Sequence, residues 1–298
     1  MMENNFGEYA ALATAFFWTA TAMFFEVASK RVGSLAVNMI RLVFAFVFLS
    51  VFTWIYRGVP FPVDASLHAW TWLPLSGLIG FVLGDYFLFR AYAMISSRVS
   101  MLIMTLVPPI TALIGWLWLG ELMNLKELLG MFLTVSGIGM AVFNRPQNGR
   151  KIKLSYSSKG ILFALIGAVG QAVGLVLSKF GMREYDAFAA THIRIMAGMV
   201  GFALIVVMFR KTAMIKLAFT DRKGMIGVTG GSFFGPFLGV SFSLLAVQYT
   251  ATGIASTIMA IVPVLIILPS VMIFKQKITA LEVIGAFISV LGVTLFFI

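Results

Sequence analysis

The sequence predicts an all-α membrane protein in which ten transmembrane helices form two inverted five-helix repeats around a central cavity. The composition, the length of the apolar runs and an internal repeat together predict this fold class. Of the 298 residues, 60% are hydrophobic and 11% are charged, whereas soluble domains have roughly 45 to 50% and 25%. Helices are the expected element, because lipid offers no partner to an unpaired backbone amide and the chain lacks the alternating pattern of a barrel.

Apolar runs of about 18 to 23 residues, each sufficient to cross a hydrocarbon core, fill nearly the whole chain. We predict spans at residues 9–29, 35–56, 72–94, 99–119, 126–143, 159–179, 187–209, 225–247, 252–274 and 279–298. A basic linker, 145–158, separates a first repeat, 1–144, from a second repeat, 159–298. No room remains for a soluble catalytic domain.

Equivalent residues recur in the two halves at nearly constant separations. Arg41 recurs as Arg194, 153 positions later, and Pro108 recurs as Pro263, 155 positions later. Four glycines recur with the same offset of 155: Gly80, Gly84, Gly130 and Gly137 correspond to Gly235, Gly239, Gly285 and Gly292. Each half crosses the membrane an odd number of times, so the halves have opposite orientations. Inverted repeats of this kind typically place a substrate site at their interface near the midplane.

The basic residues are distributed unevenly among the predicted loops. Of the 22 Lys and Arg residues, fifteen lie in odd-numbered loops and four in even-numbered loops, with the remaining three inside spans. The positive-inside rule therefore places the odd-numbered loops in the cytoplasm and both termini outside. The net charge of +11 is accordingly interpreted as a topology signal, and no nucleic-acid partner is expected.

The chain has no cysteine and two isolated histidines, which disfavours metal and thiol chemistry. We therefore expect no metal site and no cofactor.

Asp85 is an ionisable residue near the middle of the third predicted span. A charge at the centre of a span costs roughly 2.5 to 3.5 kcal/mol on insertion scales, so it needs a partner, a water-filled cavity or a route to the surface. Arg90 follows five residues later, on a different face of a regular helix, so Asp85 is expected to find its partner elsewhere. Two interpretations remain open: a cavity carboxylate that binds a proton or a substrate amine, or a structural ion pair with Arg41 or Arg90.

Arg41 and Arg194 each lie about two turns inside a predicted span, a depth from which a guanidinium can reach the headgroups. Because the repeats are inverted, the two lie toward opposite sides of the membrane, where each could instead pair with an acidic group or line a gate. His192, close to Arg194, is either a pH-sensitive group or a structural histidine.

Trp18 occupies the position in the first repeat that Gln171 occupies in the second. Both lie near the middle of their spans, where an aromatic wall and an amide could orient a small ligand. The alternative for the tryptophan is simple packing.

The third and eighth predicted spans carry small residues at helical spacing, which lets helices approach closely. A proline interrupts the eighth span, and prolines are expected to kink the fourth and ninth spans. We expect these spans to move or to line the cavity. The residues are Gly80, Gly84, Gly231, Gly235, Pro236, Gly239, Pro108 and Pro263.

Several of these features resemble the drug/metabolite transporter superfamily, and specifically its ten-span branch with two EamA-type domains. The resemblance covers essentially the whole chain and rests on the following residues: Trp18, Arg41, Arg194, Pro108, Pro263 and the sequence Leu119-Gly120-Glu121 followed by Gly130 and Gly137. Lys275-Gln276 replaces Gly120-Glu121 in the second repeat, so any role of Glu121 is not duplicated.

The resemblance implies a transporter whose cavity is lined by spans one, three, four, six, eight and nine, with spans five and ten as a lateral pairing element. The expected function is export of a small metabolite, an amino acid or related compound, across a bacterial inner membrane by alternating access. Proton coupling through Asp85 is a hypothesis. The partners implied are a small-molecule substrate and membrane lipid, with the protein a monomer or a homodimer.

Two other functions remain open. One is facilitated exchange or uptake of an anionic, phosphorylated or nucleotide-linked metabolite, with Arg41, Arg90 or Arg194 as ligand. The more distant one is an intramembrane enzyme or a lipid-handling scaffold. The sequence shows no paired carboxylates, histidine cluster or activated serine at depth, so an enzyme is not expected.

Overall fold

A computed structural model of the chain describes residues 5–143, 157–267, 269, 272 and 280–297. These residues form α-helices joined by short turns and interrupted by π-helical segments. The α-helices are α1 Phe6–Val32, α2 Ser34–Arg57, α3 Leu67–Gly77, α4 Asp85–Met104, α5 Val107–Ile114, α6 Leu125–Phe143, α7 Ser158–Met182, α8 Ala187–Met208, α9 Thr212–Ala218, α10 Arg222–Ser232, α11 Val240–Tyr249, α12 Thr252–Met259, α13 Val262–Leu265 and α14 Ala280–Thr294. The π-helical segments are Leu78–Gly84, Gly115–Leu119 and Phe233–Gly239.

The helices have the length and polarity of membrane spans. Within the described part of the chain, six are long and apolar enough to cross a bilayer: Phe6–Ser29, Leu35–Arg57, Leu67–Leu88, Ser158–Met182, Ala187–Met208 and Arg222–Tyr249. Shorter apolar helices cover Val107–Leu119, Thr252–Leu265 and Val283–Thr294. Together with the two repeats, this confirms the predicted fold class: ten membrane helices in an inverted-repeat arrangement.

Polar side chains at the helix starts satisfy backbone amides that have no partner within the helix. Asp186 accepts a hydrogen bond from the backbone amide of Ala189 at 2.8 Å before α8. Asn124 and Glu127 form a reciprocal capping box before α6, in which each side chain accepts from the other residue's amide. These caps fix where spans begin.

The two repeats pack against each other at equivalent glycines. α7 lies against the π segment Leu78–Gly84, and α1 lies against the π segment Phe233–Gly239. A β-carbon at Gly84 would lie 3.2 Å from the side-chain amide of Gln171, and one at Gly239 would lie 2.6 Å from the indole of Trp18. The sequence equivalence of Trp18 with Gln171 therefore corresponds to an equivalence in space.

Helices are interrupted at equivalent positions in the two repeats. The two π segments named above lie 155 residues apart. α4 ends at Met104 and α5 begins at Val107, while α12 ends at Met259 and α13 begins at Val262. Pro108 and Pro263 therefore lie in the first turn of a new helix, where the missing amide hydrogen costs nothing, and do not kink a continuous span.

One predicted boundary is wrong. The loop expected near Arg98, between the third and fourth spans, lies inside α4. This stretch contains no glycine or proline from Asp85 to Leu106, so no residue in it opposes helix formation. Most of the predicted linker 145–158 and the end of the ninth predicted span lie outside the described residues.

α6 and α14, the fifth and tenth predicted spans, form the most extensive helix pair among the described elements. The contact is close because glycines face backbone: a β-carbon at Gly137 would lie 2.6 Å from the carbonyl oxygen of Gly285, and one at Gly292 would lie 2.7 Å from that of Gly130. This lateral pair lies beside the bundle and does not contribute to the wall of the central cavity.

Candidate functional site

A cavity of about 370 Å³ lies between the two repeats. Its wall comes from both repeats and includes the interrupted parts of the helices described above. The lining residues are Trp18, Thr21, Ala22, Arg41, Phe81, Asp85, Leu88, Met104, Thr105, Val107, Gln171, Leu175, Arg194, Gly235, Pro236, Val240, Ser243, Ser256, Met259, Ala260, Val262 and Pro263. This volume is at the lower end of the range of small-molecule sites.

Asp85 lies at the centre of a charged cluster on the cavity wall. Its Oδ2 forms an ion pair with the guanidinium of Arg41, which comes from α2. Its Oδ1 accepts a hydrogen bond of 2.8 Å from Nε2 of Gln171, which comes from α7. The same amide donates to the carbonyl oxygen of Gly80 at 3.3 Å, within the π segment that precedes Asp85. The carboxylate is therefore held by both repeats.

Arg41 does not reach the headgroups, since its side chain turns inward to Asp85 and is only 12% exposed. Its guanidinium carbon also lies 5.7 Å from the ring centre of Phe25. Of the two interpretations of Asp85, the structure shows the ion pair with Arg41. The pair nevertheless borders the cavity, so it remains accessible to a ligand.

Arg194 is buried at the cavity wall, with 5% of its surface exposed, and does not reach the headgroups either. Its guanidinium carbon lies 4.9 Å from the ring centre of Phe81, a cation–π contact. It interacts electrostatically with Asp85, but within the described chain its side chain forms neither an ion pair nor a hydrogen bond, and its Nε is buried without an acceptor.

Arg41 has a carboxylate partner and Arg194 does not, because the second repeat lacks an acidic residue at the position equivalent to Asp85. The position equivalent to Asp85, 155 residues later, is Val240, which also lines the cavity. The ionisable side chains among the lining residues are thus two arginines and one aspartate. The cavity carries an excess positive charge.

Trp18 and Gln171 both line the cavity, as their positions predicted. The rest of the wall is largely apolar, with hydroxyl groups that the sequence did not single out, among them Thr21, Ser243 and Ser256. Each of these hydroxyls donates to a carbonyl of its own helix, which leaves its oxygen free to accept a hydrogen bond. The signal for them in the sequence is weak, because serine and threonine occur in most spans.

Two predicted site residues lie elsewhere. Arg90 is exposed, packs over the rings of Tyr86 and Phe163, and is not among the residues that line the cavity, so this geometry does not support its predicted role as a substrate ligand. His192 is fully buried between α2 and α8, with Nε2 3.3 Å from the hydroxyl of Ser50. It is a packed histidine outside the cavity, because the chain turns its side chain toward α2 and away from the lining.

The predicted glycines and prolines divide into two groups. Pro236, Gly235 and Pro263 line the cavity directly. The others act as close packing contacts: Gly80 against Gly174, Gly84 against Gln171, Gly231 against Phe25 and Gly239 against Trp18. Pro108 is buried in the first turn of α5.

A second polar network, which the sequence analysis missed, joins the repeats at one end of the bundle. Lys179 Nζ lies 2.7 Å from Glu121 Oε1 and donates to the carbonyl oxygen of Thr250. Glu121 Oε2 accepts from both the amide and the hydroxyl of Thr252, at 2.8 and 2.6 Å. The hydroxyl of Thr250 donates to Glu8 at the start of α1. We call these five residues the Glu121 network.

Another cluster lies at the same end, beside the start of α8. Asp64 pairs with Arg57 and accepts a 2.8 Å hydrogen bond from the hydroxyl of Tyr185. Burial raises the pKa of Tyr185 to about 12, so its hydroxyl stays protonated as a donor at neutral pH. At the opposite end, Arg31 pairs with Asp221.

Comparison with known proteins identifies the family. The model of the EamA-like transporter family matches residues 5–143 and again residues 158–298. The chain belongs to the EamA-like transporter family. Its two EamA units place it in the ten-span branch of the drug/metabolite transporter superfamily, and it is an integral membrane protein.

Two curated relatives match this EamA-like chain over part of their length. The uncharacterized transporter YoaV of Bacillus subtilis is 30% identical over 142 residues, which is 46% of this chain and 47% of the relative. A WAT1-related chloroplastic protein of Arabidopsis thaliana is 27% identical over 194 residues, which is 63% of this chain and 45% of the relative. The matched region therefore spans about half the length of these relatives. Both the family and the name of YoaV point to a transporter and not to an enzyme.

A solved crystal structure of another protein has the same fold. It superposes with a TM-score of 0.75 and covers 98% of this chain and 96% of its own, at 16% sequence identity. At this identity the similarity establishes the fold alone.

Proposed function

We propose that the chain is a secondary transporter that exports a small metabolite, an amino acid or a related compound, across a bacterial cell membrane by alternating access. The single observation that carries this proposal is the charged cavity of about 370 Å³ at the interface of the two inverted repeats. Related transporters built from inverted repeats alternate by rocking the repeats about a site near the midplane.

The interrupted helices support such a motion. The π segments and the turns before α5 and α13 lie at equivalent places around the cavity. Backbone without regular helical hydrogen bonds is tolerated at membrane depth where it borders protein or a wet cavity. These positions can therefore bend without exposing unpaired groups to lipid.

The Glu121 network also supports the proposal. Glu8 and Glu121 belong to the first repeat, and Lys179, Thr250 and Thr252 belong to the second, so the network joins the repeats across one end of the bundle. An end that opens to admit or release a substrate must break contacts of this kind. In this proposal the end faces the outside of the cell, as the distribution of basic residues predicts.

The absence of cysteine from the sequence makes a direct test practicable. Ser243→Cys places a single thiol on the cavity wall, and a membrane-impermeant maleimide can be applied to either side of oriented vesicles. We expect labelling from both sides. A thiol that reacts from neither side would contradict the proposal.

A locked variant distinguishes a carrier from an open pore. Gly7→Cys and Thr250→Cys, whose β-carbons would lie 2.9 Å apart at the same end of the bundle, can be oxidised to a disulfide that leaves Ser243→Cys free for labelling. This bond should hold the outer end closed. In a carrier, labelling then persists from the cytoplasmic side and is lost from the outside. Labelling that is unchanged from both sides would indicate a pore.

Proton coupling remains part of the proposal. Arg41 and Gln171 face Asp85 directly, and Arg194 acts on it electrostatically, so a proton on Asp85 would have to displace the ion pair with Arg41. Substrate-driven acidification of proteoliposomes that is lost in Asp85→Asn would support coupling. Transport by Asp85→Asn with unchanged dependence on the pH gradient would exclude Asp85 as the coupling group.

A further inference from the structure

The balance of charge in the cavity suggests which substrates it accepts. Arg41 and Asp85 neutralise each other, whereas Arg194, 5% exposed, has no carboxylate partner in the described chain. An unpaired charge in a low-dielectric wall is costly, and proteins normally pair it or use it. The net charge of the cavity is thus zero only when it holds a ligand with one negative charge.

We propose that Arg194 binds the carboxylate of the substrate and that the transported compounds are small monocarboxylates with an apolar body. This inference rests on the proposed function and names the substrate class of the same site. A guanidinium offers several donors in a planar fork that matches a carboxylate. A single carboxylate neutralises the excess charge of the cavity, whereas a phosphate monoester, with nearly two charges at neutral pH, exceeds it.

The rest of the wall fits an apolar body. Trp18, Leu175 and Met259 line the cavity and bear no ionisable group. A volume of about 370 Å³ admits a compound the size of an amino acid or somewhat larger.

An amino group on the substrate is tolerated but not required. Asp85, the one carboxylate among the lining residues, is already occupied by Arg41 and Gln171. The hydroxyl oxygens of Ser243 and Ser256 can accept from an ammonium group. Recognition therefore depends on the carboxylate, and an amine that lacks one is rejected because it would face two arginines.

The test uses four probes with one branched body: isocaproate, leucine, isoamylamine and isoamyl phosphate. Binding to the purified full chain is measured by thermal stabilisation, which rises with ligand occupancy. We expect isocaproate and leucine to stabilise the protein and the other two not to do so. Stabilisation by the amine would overturn the inference, and so would a phosphate that binds more tightly than the carboxylates.

Substitution of Arg194 provides the second part of the test. Arg194→Gln should weaken binding of isocaproate about 10- to 100-fold, the loss expected for a charge-assisted hydrogen bond. Arg90→Gln, which changes an exposed arginine outside the cavity, is the matched control and should bind normally. Arg194→Gln without ligand should melt no lower than the parent chain, because the substitution removes an unpaired buried charge. A large loss of stability with unchanged binding would assign Arg194 a structural role.

The two proposals fail separately. If none of the four probes binds while Ser243→Cys still reacts from both sides, and the locked variant is labelled from the cytoplasmic side alone, the carboxylate inference is wrong and alternating access stands. If Ser243→Cys is unreactive from both sides, the proposed function itself is wrong.

Discussion

Gln171 of the second repeat donates a hydrogen bond of 2.8 Å from Nε2 to Oδ1 of Asp85 in the first repeat. This contact joins the halves at the depth of the cavity, and Gly84 makes it possible by leaving room for the amide. The equivalent place on the other side of the pseudo-axis holds Trp18 beside Gly239. Equivalent backbone arrangements in the two repeats therefore support a polar contact on one side and an aromatic wall on the other.

Gln171→Leu is expected to lower the free energy of unfolding by about 1 to 3 kcal/mol, because a buried carboxylate loses a hydrogen bond. The measurement is unfolding in mixed micelles. Combining Gln171→Leu with Asp85→Asn gives a double-mutant cycle, in which we expect a coupling energy of about 0.5 to 3 kcal/mol. Strict additivity would show that the contact contributes nothing to stability.

Arg41→Met is expected to destabilise the chain by about 3 kcal/mol or more, since it leaves Asp85 buried beside an apolar group. Replacing both partners, by Arg41→Met with Asp85→Leu, should recover most of this stability while abolishing transport. Thermal melting of the two variants checks the first part. If the double variant is as unstable as the single one, Arg41 stabilises the fold by a contact other than the ion pair with Asp85.

Gly137→Ala is expected to destabilise the pair of α6 and α14 by about 1 to 3 kcal/mol, as for other overpacked sites. The new β-carbon would lie 2.5 Å from the backbone nitrogen of Ser289, which cannot move without shifting the helix. Gly198→Ala is the matched control, because its β-carbon meets the tip of Leu42 at 3.1 Å, and a side chain can give way. Equal melting temperatures for the two variants would contradict this distinction.

Glu121→Gln is expected to cost about 1 to 3 kcal/mol, because the side chain keeps its shape but loses the charge that pairs with Lys179. The change should also increase labelling of Ser243→Cys from the outside, since the network no longer favours the closed end. Glu184→Gln, an exposed carboxylate in the same region, is the control and should alter neither stability nor labelling. Outside labelling that stays at the level of the parent chain would separate the network from gating.

The pair of Arg31 and Asp221 should make stability depend on pH at the acid end. A hydrogen bond from Arg31, followed by one from the amide of Gly224, lowers the pKa of Asp221 in the folded chain. The stabilisation is therefore complete above the unfolded value of about 3.9 and is lost as the pH falls through the lower folded value. The melting temperature of Asp221→Asn should lie slightly below that of the parent chain at neutral pH and converge with it in acid. High salt should also reduce the difference.

The sequence predicted the elements that depend on local or repeated patterns. The lengths of the apolar runs predicted the spans, and the constant offset between residues such as Arg41 and Arg194 predicted the two repeats. Trp18 and Gln171, which the sequence makes equivalent, both line the cavity, and their role in ligand binding stays a prediction. These features are visible in one dimension because each follows from spacing along the chain.

The features that were missed depend on which way a side chain turns. Arg90 and Arg194 are both arginines inside predicted spans, yet one is exposed and the other is buried at the cavity. The rotation of each helix about its axis decides whether such an arginine faces the cavity, and hydropathy alone does not predict that rotation. The Glu121 network was missed because its members, Glu8, Lys179 and Thr250 among them, are distant in sequence and meet only when helix ends come together.

Val240 at the position equivalent to Asp85 has an energetic consequence for the resting protein. Under the proposed alternating access, halves with identical side chains would give two end states that are related by the pseudo-axis and have equal free energies. A charge present in only one half removes this degeneracy, because each end state then solvates it differently. Under the proposed mechanism the empty protein should thus rest predominantly facing one compartment, and the unmatched charge of Asp85 contributes to that bias.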